Sequence, residues 1–287
     1  MRNLFHANVL FLRGLYKEAF DEYMEIVKAE QNATAAANIG YMYYRGIGVE
    51  QNYKKALAFF EAAAPLDEGV SFFNLALMYM RGHGIDVDLE KSAELMKDSA
   101  NQGCPNAMLY LGTAHILGYL FDPVEIECIS LIPFYQVIYR DANTAMLCGM
   151  GEDYSMEDKR YEVLEADESE AINMYIKISR LHARNPWFKE QTAMAQFMLG
   201  RAYLEGIGVD YTPRVGYRLI YNAAIDFSSI EAAQYILANA DTAICYGVDV
   251  DKVKLLVENE YFNSSFNRRF TSSAHDVGRM LKGKQDK

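Results

Sequence analysis

Apolar residues recur along this chain at the spacing of a helix face. Ala56, Phe59, Phe60 and Ala63 fall at i, i+3, i+4 and i+7. The set returns as Ser92, Leu95, Met96, Ser99, then as Cys128, Leu131, Ile132, Tyr135. It appears again as Ala171, Met174, Tyr175, Ile178 and as Gly216, Leu219, Ile220, Ala223. A second pattern precedes these faces. Asn38-Ile39-Gly40-Tyr41-Met42-Tyr43-Tyr44-Arg45-Gly46-Ile47-Gly48-Val49 recurs 36 residues later as Asn74 to Ile85. A further 36 residues lead to Tyr110-Leu111-Gly112-Thr113-Ala114-His115 and Gly118. The motif closes with Leu199-Gly200-Arg201-Ala202-Tyr203-Leu204-Glu205-Gly206-Ile207-Gly208-Val209.

A fixed period of this length, two helical patterns to a period, predicts stacked helix pairs that bury their faces against neighbours. Gly40 and Gly200 are 160 residues apart, which reads as four periods plus 16 residues. That reading sets insertions on either side of a helix at about 168–181. Weaker units bracket the clear ones, at 14–29 and at 230–261, and bring the expected count to about seven pairs. Gly40, Ala76, Gly112 and Gly200 sit inside helices, where a glycine costs about 0.5–1 kcal/mol against alanine. Close approach of the partner helix is the expected compensation.

The motif resembles the Sel1-like repeat, the longer-looped relative of the tetratricopeptide repeat. The resemblance spans about 1–262. It is strongest at Gly40, Tyr43, Gly46, Gly48 and Val49 with Lys55, Ala56 and Ala63, and at Gly200, Tyr203, Gly206, Gly208 and Val209. It departs at 118–170, where Leu120 stands for a loop glycine and Cys148 for the helix glycine. The fold it implies is all-α, a right-handed superhelix of about seven helix pairs over 1–262, with longer loops at 118–190 and a basic tail at 263–287. The resemblance also implies a concave surface lined by the first helix of each pair. Its inward positions select Tyr41, Tyr44, Phe73, Leu77, Met80, Leu109, Ile116, Phe197, Arg201 and Leu204 as partner-binding residues. Aromatics, Met and Arg are enriched at interfaces. The same row also fits a core packed on itself, and the residues alone leave both readings open. With Arg201 the one basic side chain in the row, an apolar or amphipathic peptide suits it better than a free C-terminus.

Charge narrows the partner. The 287 residues carry a formal net charge of −11. Residues 263–287 are net basic, so the repeat body is more acidic than the total. Nucleic acid and anionic membrane are poor partners for such a body. Residues 149–170 hold nine acidic side chains against Lys159 and Arg160. They lack the calcium-loop pattern and read as a solvated lead into a helix, or as a partner contact.

No catalytic, metal or cofactor signature is present. Gly46-Ile47-Gly48 lacks the third glycine, the preceding strand and the Lys-Ser/Thr of a phosphate loop. His6, His83, His115, His182 and His275 are scattered, and Cys104, Cys128, Cys148 and Cys245 lack metal-site spacing. Four dispersed cysteines point to a reducing compartment. No stretch reaches the ~20 apolar residues of a membrane helix. The chain therefore reads as a cytoplasmic, non-enzymatic interaction scaffold without cofactor or metal. Two other readings stand beside it: a ligand or enzyme site in 118–190, with His182 and Trp187, or an acidic inhibitor of a basic protein.

Overall fold

The computed structural model describes residues 4–66, 69–117, 166–181 and 188–267, with short strands at 120–121, 128–131, 134–137 and 160–161. Its helices are α1 (Leu4–Leu12), α2 (Tyr16–Ala29), α3 (Ala33–Arg45), α4 (Tyr53–Ala63), α5 (Val70–Arg81) and α6 (Leu89–Asn101). They continue as α7 (Pro105–Leu117), α8 (Glu168–Ile178), α9 (Lys189–Glu205) and α10 (Pro213–Ile225). The last three are α11 (Ile230–Ala238), α12 (Ala240–Cys245) and α13 (Val250–Asn267). Two antiparallel ladders complete the described residues. One pairs β1 (Leu120–Phe121) with β4 (Arg160–Tyr161), the other β2 (Cys128–Leu131) with β3 (Phe134–Val137).

Two compact units hold these elements. The first contains α1 to α6 and the β2–β3 hairpin; the second contains α7 to α12, most of α13 and the β1–β4 ladder. Helices pack as antiparallel neighbours in sequence: α1 on α2, α3 on α4, α5 on α6, α7 on α8 and α9 on α10. The architecture is the expected all-α stack of helix pairs.

The described residues correct the register of that stack. Cys128, Leu131 and Tyr135 lie on a hairpin, with Leu131 opposite Phe134, not on a helix. Pro133 explains why, since it removes an N–H and obstructs the preceding turn of any helix through it. The second helix of the fourth pair is instead α8. A Cβ placed on Gly40 would lie 2.9 Å from the Phe60 ring, one on Gly112 2.8 Å from Tyr175, and one on Gly200 2.6 Å from Ile220. Phe60, Tyr175 and Ile220 hold the same place on their helices, so α8 is to α7 what α4 is to α3. Sixteen residues separate the paired positions Gly40 and Ala56; 59 separate Gly112 and Ala171. The expected fourth and fifth units thus supply one pair between them. At the far end, the first helix expected for the last unit is broken at Asn239 into α11 and α12.

Local chemistry recurs at the starts of α3, α4, α6 and α8. Side-chain oxygens of Asn32, Asn52, Asp88 and Asp167 each accept a bond from the backbone N–H three residues on, at 2.8–3.0 Å. These N-caps satisfy donors that a helix start leaves orphaned. Asp88→Ala is expected to cost about 1 kcal/mol in urea unfolding, whereas Asp88→Asn should cost little. Gly46, Gly82 and Gly206 close their helices in the left-handed conformation. The second loop glycine has a different duty. Gly208 has φ +65, and its amide donates to Glu168 Oε2 at 2.8 Å; a Cβ there would sit 2.8 Å from the Glu168 carbonyl oxygen. Gly48 and Gly84 meet the backbone of Tyr16 and Tyr53 in the same way. Each such loop therefore rests on the first turn of the second helix of the pair before it.

Polar atoms follow suit. Ser92, at the position of Ala56, donates to the Ala76 carbonyl at 2.7 Å, and Ser99 to that of Gly69 at 2.6 Å. Tyr43 fills the space between pairs. Its ring lies 5.3 Å from that of Phe20 on α2 and 5.8 Å from Phe59, with the Lys55 ammonium 5.0 Å from its centroid.

Candidate partner-binding surface

The first helices α3, α5, α7 and α9 present the predicted row. Tyr41, Tyr44, Phe73, Leu77 and Met80 in the first unit are all buried, and so are Leu109 and Phe197 in the second. Ile116, Arg201 and Leu204 are half-buried. The row thus divides into a packed part and a part that solvent reaches.

Tyr44 shows how the packed part is held. Its hydroxyl lies 3.0 Å from His83 Nδ1 and accepts from Arg81 Nη1 at 3.1 Å. The His83 ring stacks on Tyr53 at 4.5 Å with planes 12° apart. His83 is half-buried in this aromatic junction, where the sister loops carry Ile47 and Ile207. Tyr41 meets Phe11 of α1 at 6.5 Å between ring centroids. Thr113, on the α7 stretch of the row, donates to the Leu109 carbonyl at 3.1 Å and lies 3.2 Å from the Tyr175 hydroxyl.

The solvent-reached part gathers around Arg201. Its Nε and Nη2 donate to Glu205 Oε1 at 2.9 and 2.6 Å, one helical turn away. The Arg201 side chain keeps 24% of its surface exposed. Tyr235 of α11 joins it, with its ring 5.8 Å from Phe197. Burial pushes the Tyr235 hydroxyl above its ordinary range; Arg201 draws it back in part and Glu205 adds to the rise. The hydroxyl therefore stays protonated at neutral pH, able both to donate and to accept. Tyr217 is buried beside it. Burial raises its pKa first, then the nearby Tyr235, while a bond to Thr242 lowers it and Tyr246 and Tyr211 raise it further. Tyr246 stacks on Tyr217 at 5.4 Å and is exposed. Four tyrosines and an arginine thus share one neighbourhood of the second unit.

Sequence reasoning found Phe197, Arg201 and Leu204 but missed Tyr235, Tyr217 and Tyr246. The last unit has no glycine motif, so nothing in the sequence set its register against α9. Among the described residues no three His, Cys, Asp or Glu side chains converge as metal ligands. Cys104 is a buried free thiol and Cys245 an exposed one. None of the described helices is long and apolar enough to cross a membrane. His182, Trp187, most of the acidic stretch and the tail beyond Asn267 lie outside the described residues.

Stacked helix pairs with an aromatic row on their first helices define a repeat solenoid. The Sel1 repeat model matches residues 33–66, 73–104 and 193–224, which cover α3–α4, most of α5–α6 and most of α9–α10. These three units are Sel1 repeats. No curated protein matches it. Among solved structures, a Sel1 repeat protein from Oxalobacter formigenes shares the fold, with TM-score 0.54 and 20% identity over 78% of this chain. The chain spans 49% of that protein's length. A protective antigen of uropathogenic Escherichia coli strains, displaying an SLR fold, aligns with 97% of this chain and 67% of its own, at 18% identity and TM-score 0.35.

Proposed function

We propose that this protein is a non-enzymatic interaction scaffold that binds a segment of another protein along its row of first helices. The observation that carries this reading is the half-exposed group of Arg201, Leu204 and Tyr235. Tyr and Arg are the residues over-represented at binding hot spots, where a wide apolar body and a fixed hydrogen-bonding head act together. Buried Phe197 backs this group within the second unit, its ring 5.8 Å from that of Tyr235, while Tyr41, Tyr44, Phe73, Leu77 and Met80 are packed inside the first unit. Arg201 is already neutralised by Glu205, which suits an apolar or amphipathic segment with few charges.

Affinity capture from the source cell tests this, comparing the wild-type chain with Arg201→Ala/Tyr235→Ala. Loss of a true hot-spot pair is expected to weaken a partner by at least about 30-fold, near 2 kcal/mol, with the circular-dichroism spectrum unchanged. A folded double variant that retains every partner would remove the assignment.

A further inference from the structure

We propose that α10 carries a second docking surface, for an acidic segment of a partner protein, distinct from the first-helix row. Arg214, Val215 and Arg218 follow one another at i, i+1 and i+4 on α10. All three are exposed. The opposite face, with Gly216, Tyr217, Ile220, Ala223 and Ala224, is buried against the rest of the unit. The stripe is thus the outer side of a well-anchored helix.

Its charge sets it apart. Pro213–Ile225 contains no acidic residue, in a chain with 39 acidic against 28 basic side chains. On two other second helices a cation is paired, Lys28 with Glu25 and Lys91 with Glu94. Among the described residues Arg214 and Arg218 have no such partner. Two guanidinium forks one helical turn apart, roughly 6 Å, match two carboxylates at similar spacing. Val215 lies beside them as an apolar contact. Exposed Asp210 and Asp226 bound the stripe at its two ends. Those carboxylates and the −11 net charge disfavour a phosphate backbone, which needs a longer basic track. A short acidic segment with one apolar side chain fits the two-arginine stripe within its acidic borders.

The test is fluorescence anisotropy at 50 and 300 mM NaCl with two labelled 14-residue peptides. One carries Glu pairs four residues apart flanked by Leu; in the other each Glu is Gln. The Glu peptide is expected to bind the full chain at least tenfold more tightly than the Gln peptide, and to weaken severalfold at the higher salt. Arg214→Glu/Arg218→Glu should remove that preference with unchanged helicity and melting. Arg201→Ala should leave it intact, which separates this surface from the first-helix row. Failure of the Glu peptide to bind, or equal binding to the charge-reversed variant, overturns the proposal. Two further outcomes also overturn it by naming another occupant. One is a dimer in sedimentation that charge reversal dissolves, which makes the occupant a second copy. The other is peptide binding that appears only after residues 149–159 are deleted, which makes it the chain's own acidic stretch.

Discussion

Tyr175→Ala is expected to destabilise the protein by about 3–5 kcal/mol, the range for removing a fully buried large aromatic. Tyr175 has no exposed surface. Its ring stands where a Cβ on Gly112 would be, 2.8 Å away, and its hydroxyl meets Thr113 at 3.2 Å. The side chain therefore joins α8 to α7 across more than fifty residues of intervening chain. Urea unfolding followed by circular dichroism measures the cost. Tyr175→Phe, which removes only the hydroxyl bond, should cost about 1 kcal/mol. An unbroken 36-residue period would instead set Ile132 against Gly112 and leave Tyr175 in another pair. A cost below about 1 kcal/mol for the alanine variant would speak against the α7–α8 pairing.

Gly200→Ala is the second expected large effect, and its sign is the informative part. In a free helix, glycine to alanine gains about 0.5–1 kcal/mol. Here the new methyl would lie 2.6 Å from Ile220 Cγ1 and 2.9 Å from the Gly216 carbonyl oxygen. Gly216 faces back in turn, its own Cβ position 2.7 Å from the Gly200 carbonyl oxygen. Two helix backbones meet at this point, so rotating the Ile220 side chain would relieve only part of the overlap. Overpacking of this kind costs about 1–3 kcal/mol, so a net loss in that range is expected in thermal or urea melts. A more stable variant would show that α9 and α10 do not approach so closely.

Much of the architecture was legible because it repeats. The glycines that close α3, α5 and α9 and the small residue at each helix crossing are local demands, met by Gly46, Gly82 and Gly206 and by Gly40, Ala76, Gly112 and Gly200. What was not legible is which helix pairs with which around 118–165. The excess spacing between Gly112 and Ala171 is 43 residues, close to one period, so it passed for another unit and a small remainder. The apparent helix face Cys128, Leu131, Ile132, Tyr135 strengthened that reading, although Pro133 stands inside it. The candidate site divides for a similar reason. Spacing identifies the row on each first helix but not which members a neighbour covers. Tyr44 is hidden because Arg81 and His83 reach it from the next pair, whereas Arg201 stays half-open beside Tyr235.

The sequence by itself determined the class of fold. A 36-residue period with two helical faces and fixed caps has one economical solution, since a lone pair would leave its apolar face in water. Only the tertiary structure decided the partner of α7, the tyrosine group around Arg201 and the bare arginine stripe of α10. Each depends on distances between residues far apart in the chain, which burial, steric fit and electrostatics set and a local pattern of residues does not encode.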